Sequence, residues 1–536
     1  MVNAIVNSAS YASPALPNGG IAEGAIFIVF GKNIGPSALA QSGKFPLQKT
    51  LGGTSIQITV NGTTTDAVMI YSLATQVAAI LPSNTPTGSG TITLTYNGAT
   101  STPAPITVVK SNLGIYTLNQ AGSGPGVVTF ANYQVVESGN AAHAGDVLIL
   151  WATGLGPISQ DDAAAPAPGD LTDIPLSIYL GVQPATVTYR GRSGCCAGLD
   201  QIVFTVPSGV EGCSVPLSAQ IGNEISNYSS IAIAAPGVST CSDPLLPISD
   251  SDLQSLLSKG TVSSGVIALE RTTENISVAG TTQNTTTDYG YGSFQKVTFT
   301  SGGLPPEFVS PLTFDSCYVS TYSSASIGST GSSPPVVSTG SYPFTSLDAG
   351  RALTVTGPAG MRTLPRATTG TLTAYAAALG NGTPGNFLDA GSYTITGPGG
   401  ADVGPFSVTF NLPQPLTWSN QSSVATVNRS AGQLITWTGG NTDDLVYIFG
   451  DSTALQADNS TIGGEFQCLA HAGEGSFMIP SSVLLALPAT SVVFGVPIPG
   501  IMSVISSTSL LPFTAPGLDI GLVSATSGDA ATATFQ

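Results

Sequence analysis

Cysteine is the residue type in this chain with the most chemistry to offer, and its six copies stand at 195, 196, 213, 241, 317 and 468. Thiols bond to one another, hold a metal or act as nucleophiles, and spacing separates these uses. A zinc site made of Cys195, Cys196, Cys213 and Cys241 would lack the two C-x-x-C knuckles such sites use, so disulfides are expected. On an extended backbone the adjacent Cys195 and Cys196 point in different directions, and a ring between neighbours strains the peptide that joins them. Each is therefore expected to take a separate partner, giving two bridges in the domain that also holds Cys213 and Cys241. The pairing stays open, because spacing does not determine it. Cys468-Leu-Ala-His471 has the spacing of half a zinc site, but the chain has only two histidines and His143 is remote in sequence. Pairing of Cys468 with Cys317, or burial as a free thiol, is the preferred reading.

Hydrolytic chemistry fares worse. No Gly-x-Ser-x-Gly elbow occurs. Gly450-Asp451-Ser452 has the look of a GDS-type esterase block, yet that chemistry needs a histidine within hydrogen-bond reach, and His471 is the only nearby candidate. Carboxylates gather at Asp161, Asp162, Asp170 and Asp173, and again at Asp443, Asp444, Asp451 and Asp458. Neither group has the spacing of an EF-hand or a nonapeptide calcium repeat, so solvated turns are the default. Asn-x-Ser/Thr sequons, such as those at Asn61, Asn227, Asn275 and Asn284, permit glycan attachment in a chain rich in Ser and Thr. The sequence thus predicts no catalytic residue, no cofactor and no metal ligand set.

The elements that position these residues follow from composition. A chain of 536 residues exceeds one hydrophobic core, which implies roughly three to five domains. Charged residues make up 8%, against about 25% in ordinary soluble domains. The hydrophobic fraction is 42% and the mean hydropathy +0.29, with abundant Val, Ile and Thr among 64 Gly and 38 Pro. That mixture reads as short strands between tight turns rather than disorder. The net charge is −17, and the 13 Lys and Arg form no basic patch, which argues against nucleic-acid binding. No apolar run reaches the ~18 residues of a membrane span. The first residues lack the basic and apolar regions of a signal peptide. The cysteine usage favours an exported protein, with residue 1 as a processed or engineered terminus.

An internal repeat organises the first half. IAEGAIFIVFGKNIGP (21–36) is answered by AHAGDVLILWATGLGP (142–157), and Gln76 aligns with Gln201. Each copy is close to the ~100 residues of an immunoglobulin-type sandwich. Within Thr91–Tyr96, Ile92, Leu94 and Tyr96 alternate with threonines, as a half-buried strand requires, and Asn97-Gly98 supplies a hairpin turn with positive φ. Segments 5–110 and 111–243 resemble the tandem immunoglobulin-like region found near the C-termini of secreted acidobacterial (Solibacter-type) proteins. The matching stretches are IVNSASYAS (5–13), FGKNIGP (30–36), GRSGCCAGLDQIVFTVPSGVEGC (191–213) and CSDP (241–244). Individual copies are also similar to IPT/TIG domains. The resemblance implies sandwich folds and export and brings no catalytic residue. Here, however, the tandem stands at the front, ahead of residues 244–536.

Beyond it, residues 244–260 form the one clear helix signal, with Leu253, Leu256 and Leu257 as a stripe and Gly260 as its stop. LDAGRALTVTGPAG (347–360) is echoed by LDAGSYTITGPGG (388–400), which predicts two equivalent hairpins within one sandwich. The expected architecture is all-β: sandwich 1 (residues 1–110), sandwich 2 (111–243), a linker helix (244–260), sandwich 3 (261–413) and sandwich 4 (414–536). Functionally, the charge-poor surface and only six lysines to guard strand edges predict an extracellular subunit that assembles with copies of itself into a filament, sheath or surface layer. Residues 1–20 and 318–342 are the expected contact arms. The alternative is an adhesin or stalk that binds cell-surface or glycan ligands, with Tyr289, Tyr291, Tyr318 and Tyr322 as an aromatic face.

Overall fold

A computed structural model describes residues 1–243, 245, 247–248, 250–278, 281–298, 312–323, 343–380, 386–493 and 496–536. The chain is all-β, built of sandwiches, as the strand periodicity demands. In the first module, Thr54–Val60 (TSIQITV) alternates between buried and exposed positions, which sends Ile56, Ile58 and Val60 inward. Two sheets enclose that core. One contains Val2–Asn7, Ile26–Gly31, Gln76–Ile80, Val68–Ser72 and Ala40–Gln41 in spatial order. The other is centred on Ala104–Val109, Gly88–Tyr96 and Thr54–Val60. The Asn97-Gly98 turn has φ of 47° and 81°, the two positive values that a tight hairpin matched to strand twist needs.

The second module repeats this plan around Leu148, Leu150, Ile202, Phe204, Leu217 and Ile233. The repeat seen in sequence is also a repeat of position. Ile26–Gly31 pairs antiparallel with Gln76–Ile80, and Val147–Thr153 pairs the same way with Asp200–Thr205. Phe30 therefore faces Gln76 across one ladder, and Trp151 faces Gln201 across the other.

The predicted helix is present as Asp250–Lys259, stopped by Gly260 at φ 67°, with Leu256 buried against Val262, Ile520 and Leu522. A second helix, Ser481–Leu485, was not legible in sequence: five residues after Pro480 are too few to show a period, and burial of Val483 and Leu484 holds it.

The boundary expected between residues 413 and 414 is not kept, because segments on each side of it contribute to the core of the other. One fifteen-stranded sheet runs through both C-terminal cores. Its strand Ile520–Phe535 gives Val523 and Ala525 to one core and Ala531, Ala533 and Phe535 to the other. Sixteen residues at about 3.3 Å each outrun a single sandwich, so one strand serves two. Ser316–Ser323 crosses the other way, pairing with Thr461–His471 and adding Cys317 and Val319 to the last core. The echoed LDAG segments pair directly as neighbouring antiparallel strands, Val355 opposite Ile395, within one core.

The N-terminal segment is not a free arm. Val2–Asn7 pairs with Ile26–Gly31, and Ala12, Ala15 and Leu16 pack on Ala454 and Ile462 of the last module. Ile5, Val6, Ala9 and Leu16 are buried within the same chain, while Met1 stays exposed. Of the other expected arm, residues 318–323 belong to Ser316–Ser323, and 324–342 lie outside the described residues.

Candidate functional site

Cys213 is bonded to Cys241 and Cys317 to Cys468, the latter pair directly opposite across an antiparallel ladder. Cys195 is bonded to Cys196. This corrects the expectation of separate partners, which assumed an extended backbone. The chain turns between Gln183–Arg192 and Asp200–Thr205: Ser193 N donates to Leu199 O at 2.8 Å, and Ser193 Oγ accepts from Cys196 N at 3.2 Å. Cys195 and Cys196 sit exposed in that turn, and the other four cysteines are already paired with one another.

The remaining chemical candidates separate. Ser452 is buried and donates to Pro488 O at 2.8 Å. It stands opposite Gly464, whereas His471 stands opposite Leu445. Seven residues along a ladder is roughly 23 Å, far beyond proton-transfer reach. His471 stacks on Phe314 at 3.9 Å between ring centres. Asp170 pairs with Arg190, and Asp458 accepts from Ser460. Among the described residues, no three His, Cys, Asp or Glu side chains gather as a metal site requires. The four tyrosines do not form one face: five strands lie between the strand bearing Tyr289 and Tyr291 and the one bearing Tyr318 and Tyr322.

The aromatic residues that do converge lie elsewhere. Modules one and two turn their sheet faces toward each other and leave a cleft of about 1010 Å³ between them. Module one supplies Ile26, Ile28, Ala78, Tyr71 and Tyr11, and module two supplies Tyr116, Tyr133, Trp151, Gln120 and Gln201. Not one lining residue carries a formal charge. Trp151 and Tyr133 form a bent platform, ring centres 6.2 Å apart and planes 30° apart, and Trp151 Nε1 donates to Thr129 Oγ1 at 3.1 Å. Tyr133 is 66% exposed. Deeper in, Tyr116 OH shares a 2.7 Å hydrogen bond with Ser8 Oγ, and Gln76 Nε2 donates to Tyr71 OH. Burial pushes the Tyr71 hydroxyl up to about 12 and raises that of Tyr116 as well, so both stay neutral donors. Cys195 lines the rim of the cleft beside Gly194.

Rigidity comes from the junction beneath. Arg192 is buried and bonds Asp200, while its Nη2 also donates to Gly156 O at 2.7 Å and to Gly24 O of module one at 3.2 Å. Gly24 has φ 73°, and a Cβ there would run into this guanidinium. Burial raises the Asp200 carboxyl, and Arg192 opposes the rise. Ile26 N donates to Thr153 Oγ1 at 2.9 Å, and Ser83 donates twice to Asp162. Such a network leaves little hinge freedom. Sequence reasoning missed this site because its two walls come from different modules. The signal available was the repeat itself, which aligns Phe30 with Trp151 and Gln76 with Gln201.

No protein-family model matches the chain. No curated protein matches it either. Among solved structures, domains 5–6 of the S-layer protein SbsC share 13% identity over 44% of this chain and 96% of that one, with a TM-score of 0.17. SGBP-B of a Bacteroides ovatus mixed-linkage glucan utilization locus, solved with a mixed-linkage heptasaccharide, shares 9% over 86% of this chain and 93% of its own, at 0.14. Sidekick-1 immunoglobulin domains 1–4 share 10% over 99% of both chains, at 0.11. Scores this low carry nothing about ligand or assembly. Among the described residues, no helix is long and apolar enough to cross a membrane.

Proposed function

We propose that this chain is a non-enzymatic extracellular binding protein, whose welded immunoglobulin-like modules hold an uncharged aromatic cleft open to a ligand. The cleft carries the reading: a fixed, concave, mainly apolar site with a few polar groups is what small-ligand sites have in common. Three disulfides support an oxidising destination outside the cell. The separation of Ser452 from His471 supports binding without turnover.

A second reading, assembly with copies of itself into a filament, sheath or surface layer, is favoured by one observation. Leu434 and Met478 stand opposite each other on a small three-stranded sheet and are 43% and 54% exposed, an apolar pair for a neighbouring subunit to cover. One experiment addresses both readings: titration of the purified chain with the neutral polarity-sensitive dye Nile red, with sedimentation velocity on the same samples. The binding reading expects saturable dye emission that Trp151→Ala abolishes, from a chain that stays monomeric. Emission unchanged by that substitution overturns it, and concentration-dependent polymers lost in Leu434→Ser/Met478→Ser transfer the function to assembly.

A further inference from the structure

We infer that the cleft takes a neutral oligosaccharide, an inference that rests on the binding reading above. Charge narrows the ligand first. The lining holds no Lys, Arg or His to meet a phosphate, sulfate or uronate, and a chain of net charge −17 repels anions as they approach. It also holds no carboxylate to fix a cation. The ligand that fits is uncharged.

Polarity narrows it further. A lipid or other pure hydrocarbon would cover the Gln201 and Gln120 amides without answering them, and an unanswered buried amide costs binding energy. Neither amide is taken up by a hydrogen bond among the described residues. A pyranose ring matches both demands, because its C–H faces stack on aromatic rings while its rim of hydroxyls gives and takes hydrogen bonds. Trp151 and Gln201 face each other directly in the ladder, which sets an amide beside a stacking ring, and Tyr133 extends the platform.

Comparison of the two repeat copies strengthens the point. In module one the equivalent pair is closed: Phe30 is buried under Tyr11, and the Gln76 amide is given to Tyr71 OH. In module two the aromatic residue is only partly buried and the glutamine side chain has no hydrogen-bond partner among the described residues. The same position is spent on packing in one copy and left open to a ligand in the other. The volume, about 1010 Å³, lies at the upper end of the roughly 300–1,000 Å³ range of single-ligand sites, which suits a short oligosaccharide better than one sugar.

The test is affinity electrophoresis of the full chain in gels containing neutral polysaccharides (hydroxyethylcellulose, xyloglucan, galactomannan) or anionic ones (alginate, polygalacturonate). Binding is then quantified with soluble oligosaccharides of the retarding polymer through tryptophan emission. Trp418 and Trp437 are buried, so an emission change reports Trp151. Retardation by at least one neutral polymer and by neither anionic one is expected. Gln201→Ala should weaken binding at least tenfold with an unchanged melting temperature. If Trp151→Ala fails to fold, Tyr133→Ala, altering an exposed ring, should weaken binding by a similar factor. Preference for an anionic polymer, or no neutral retardation while Nile red still binds in a Trp151-dependent way, overturns the neutral-oligosaccharide assignment and leaves the binding site standing. Loss of both signals removes the binding reading as well.

Discussion

Replacing Cys317 and Cys468 together with alanine should cost more stability than opening Cys213–Cys241 and far more than opening Cys195–Cys196. A disulfide stabilises mainly by restricting the unfolded chain, and the restriction grows with the logarithm of the loop enclosed. The sequence separations are 151 for Cys317–Cys468, 28 for Cys213–Cys241 and 1 for Cys195–Cys196. Chain-entropy scaling turns these into about 5, about 3.6 and less than about 1 kcal/mol at 25 °C. Cys317 and Cys468 are also fully buried, so the lost sulfurs leave a void that adds to the first cost. Alanine is preferred to serine because a hydroxyl buried there would lack a partner. The ladder between Ser316–Ser323 and Thr461–His471 remains after the substitution, which should keep the module folded under native conditions. The assay is urea unfolding in a Trp151→Phe background, where the remaining emission comes from Trp418 and Trp437 in the same core as the bridge. The midpoint should fall sharply for Cys317→Ala/Cys468→Ala, while melting of the N-terminal modules should barely move for Cys195→Ala/Cys196→Ala. Equal losses from the two pairs, or no loss from the first, would refute the loop-length reasoning.

Two further outcomes follow from buried charges. Arg192→Met strands the Asp200 carboxylate at the junction of modules one and two, so thermal melting should show a loss of about 3–5 kcal/mol, and Arg192→Met/Asp200→Asn should recover most of it; a double variant no better than the single would show that the pair itself is not what holds the junction. At Asp288, burial pushes the carboxyl up, but hydrogen bonds from Arg271 and from the Leu388 and Phe387 amides pull it further down, to a net value below the usual carboxylate range. Its stabilisation is therefore fully present above the ordinary aspartate pKa and fades as pH falls through the lowered value, so the fall in melting temperature on acidification should be shallower in Asp288→Asn than in the parent chain; identical acid profiles would contradict this.

Much of the architecture was already legible in the chain. Alternation in stretches such as Thr54–Val60 and Thr91–Tyr96 specifies half-buried strands, because side chains on a pleated backbone point to opposite faces in turn. Asn97-Gly98 specifies its turn, because those residues accept positive φ. The leucines at 253, 256 and 257 mark a helix by their spacing, and Gly260 marks its stop. These are local properties, and local chemistry decides them. The vicinal Cys195–Cys196 bridge, the strand Ile520–Phe535 shared by two cores, the docking of residues 12–16 on the last module and the aromatic cleft between modules one and two were decided only in three dimensions. Each depends on which surfaces meet across long sequence separations. A two-residue period says that a side chain leaves the sheet on a given face, but not what stands opposite that face. Trp151 reads the same in sequence whether it fills a core or lines a cleft, and only the placement of Tyr11 and Tyr71 across from it makes it part of a site.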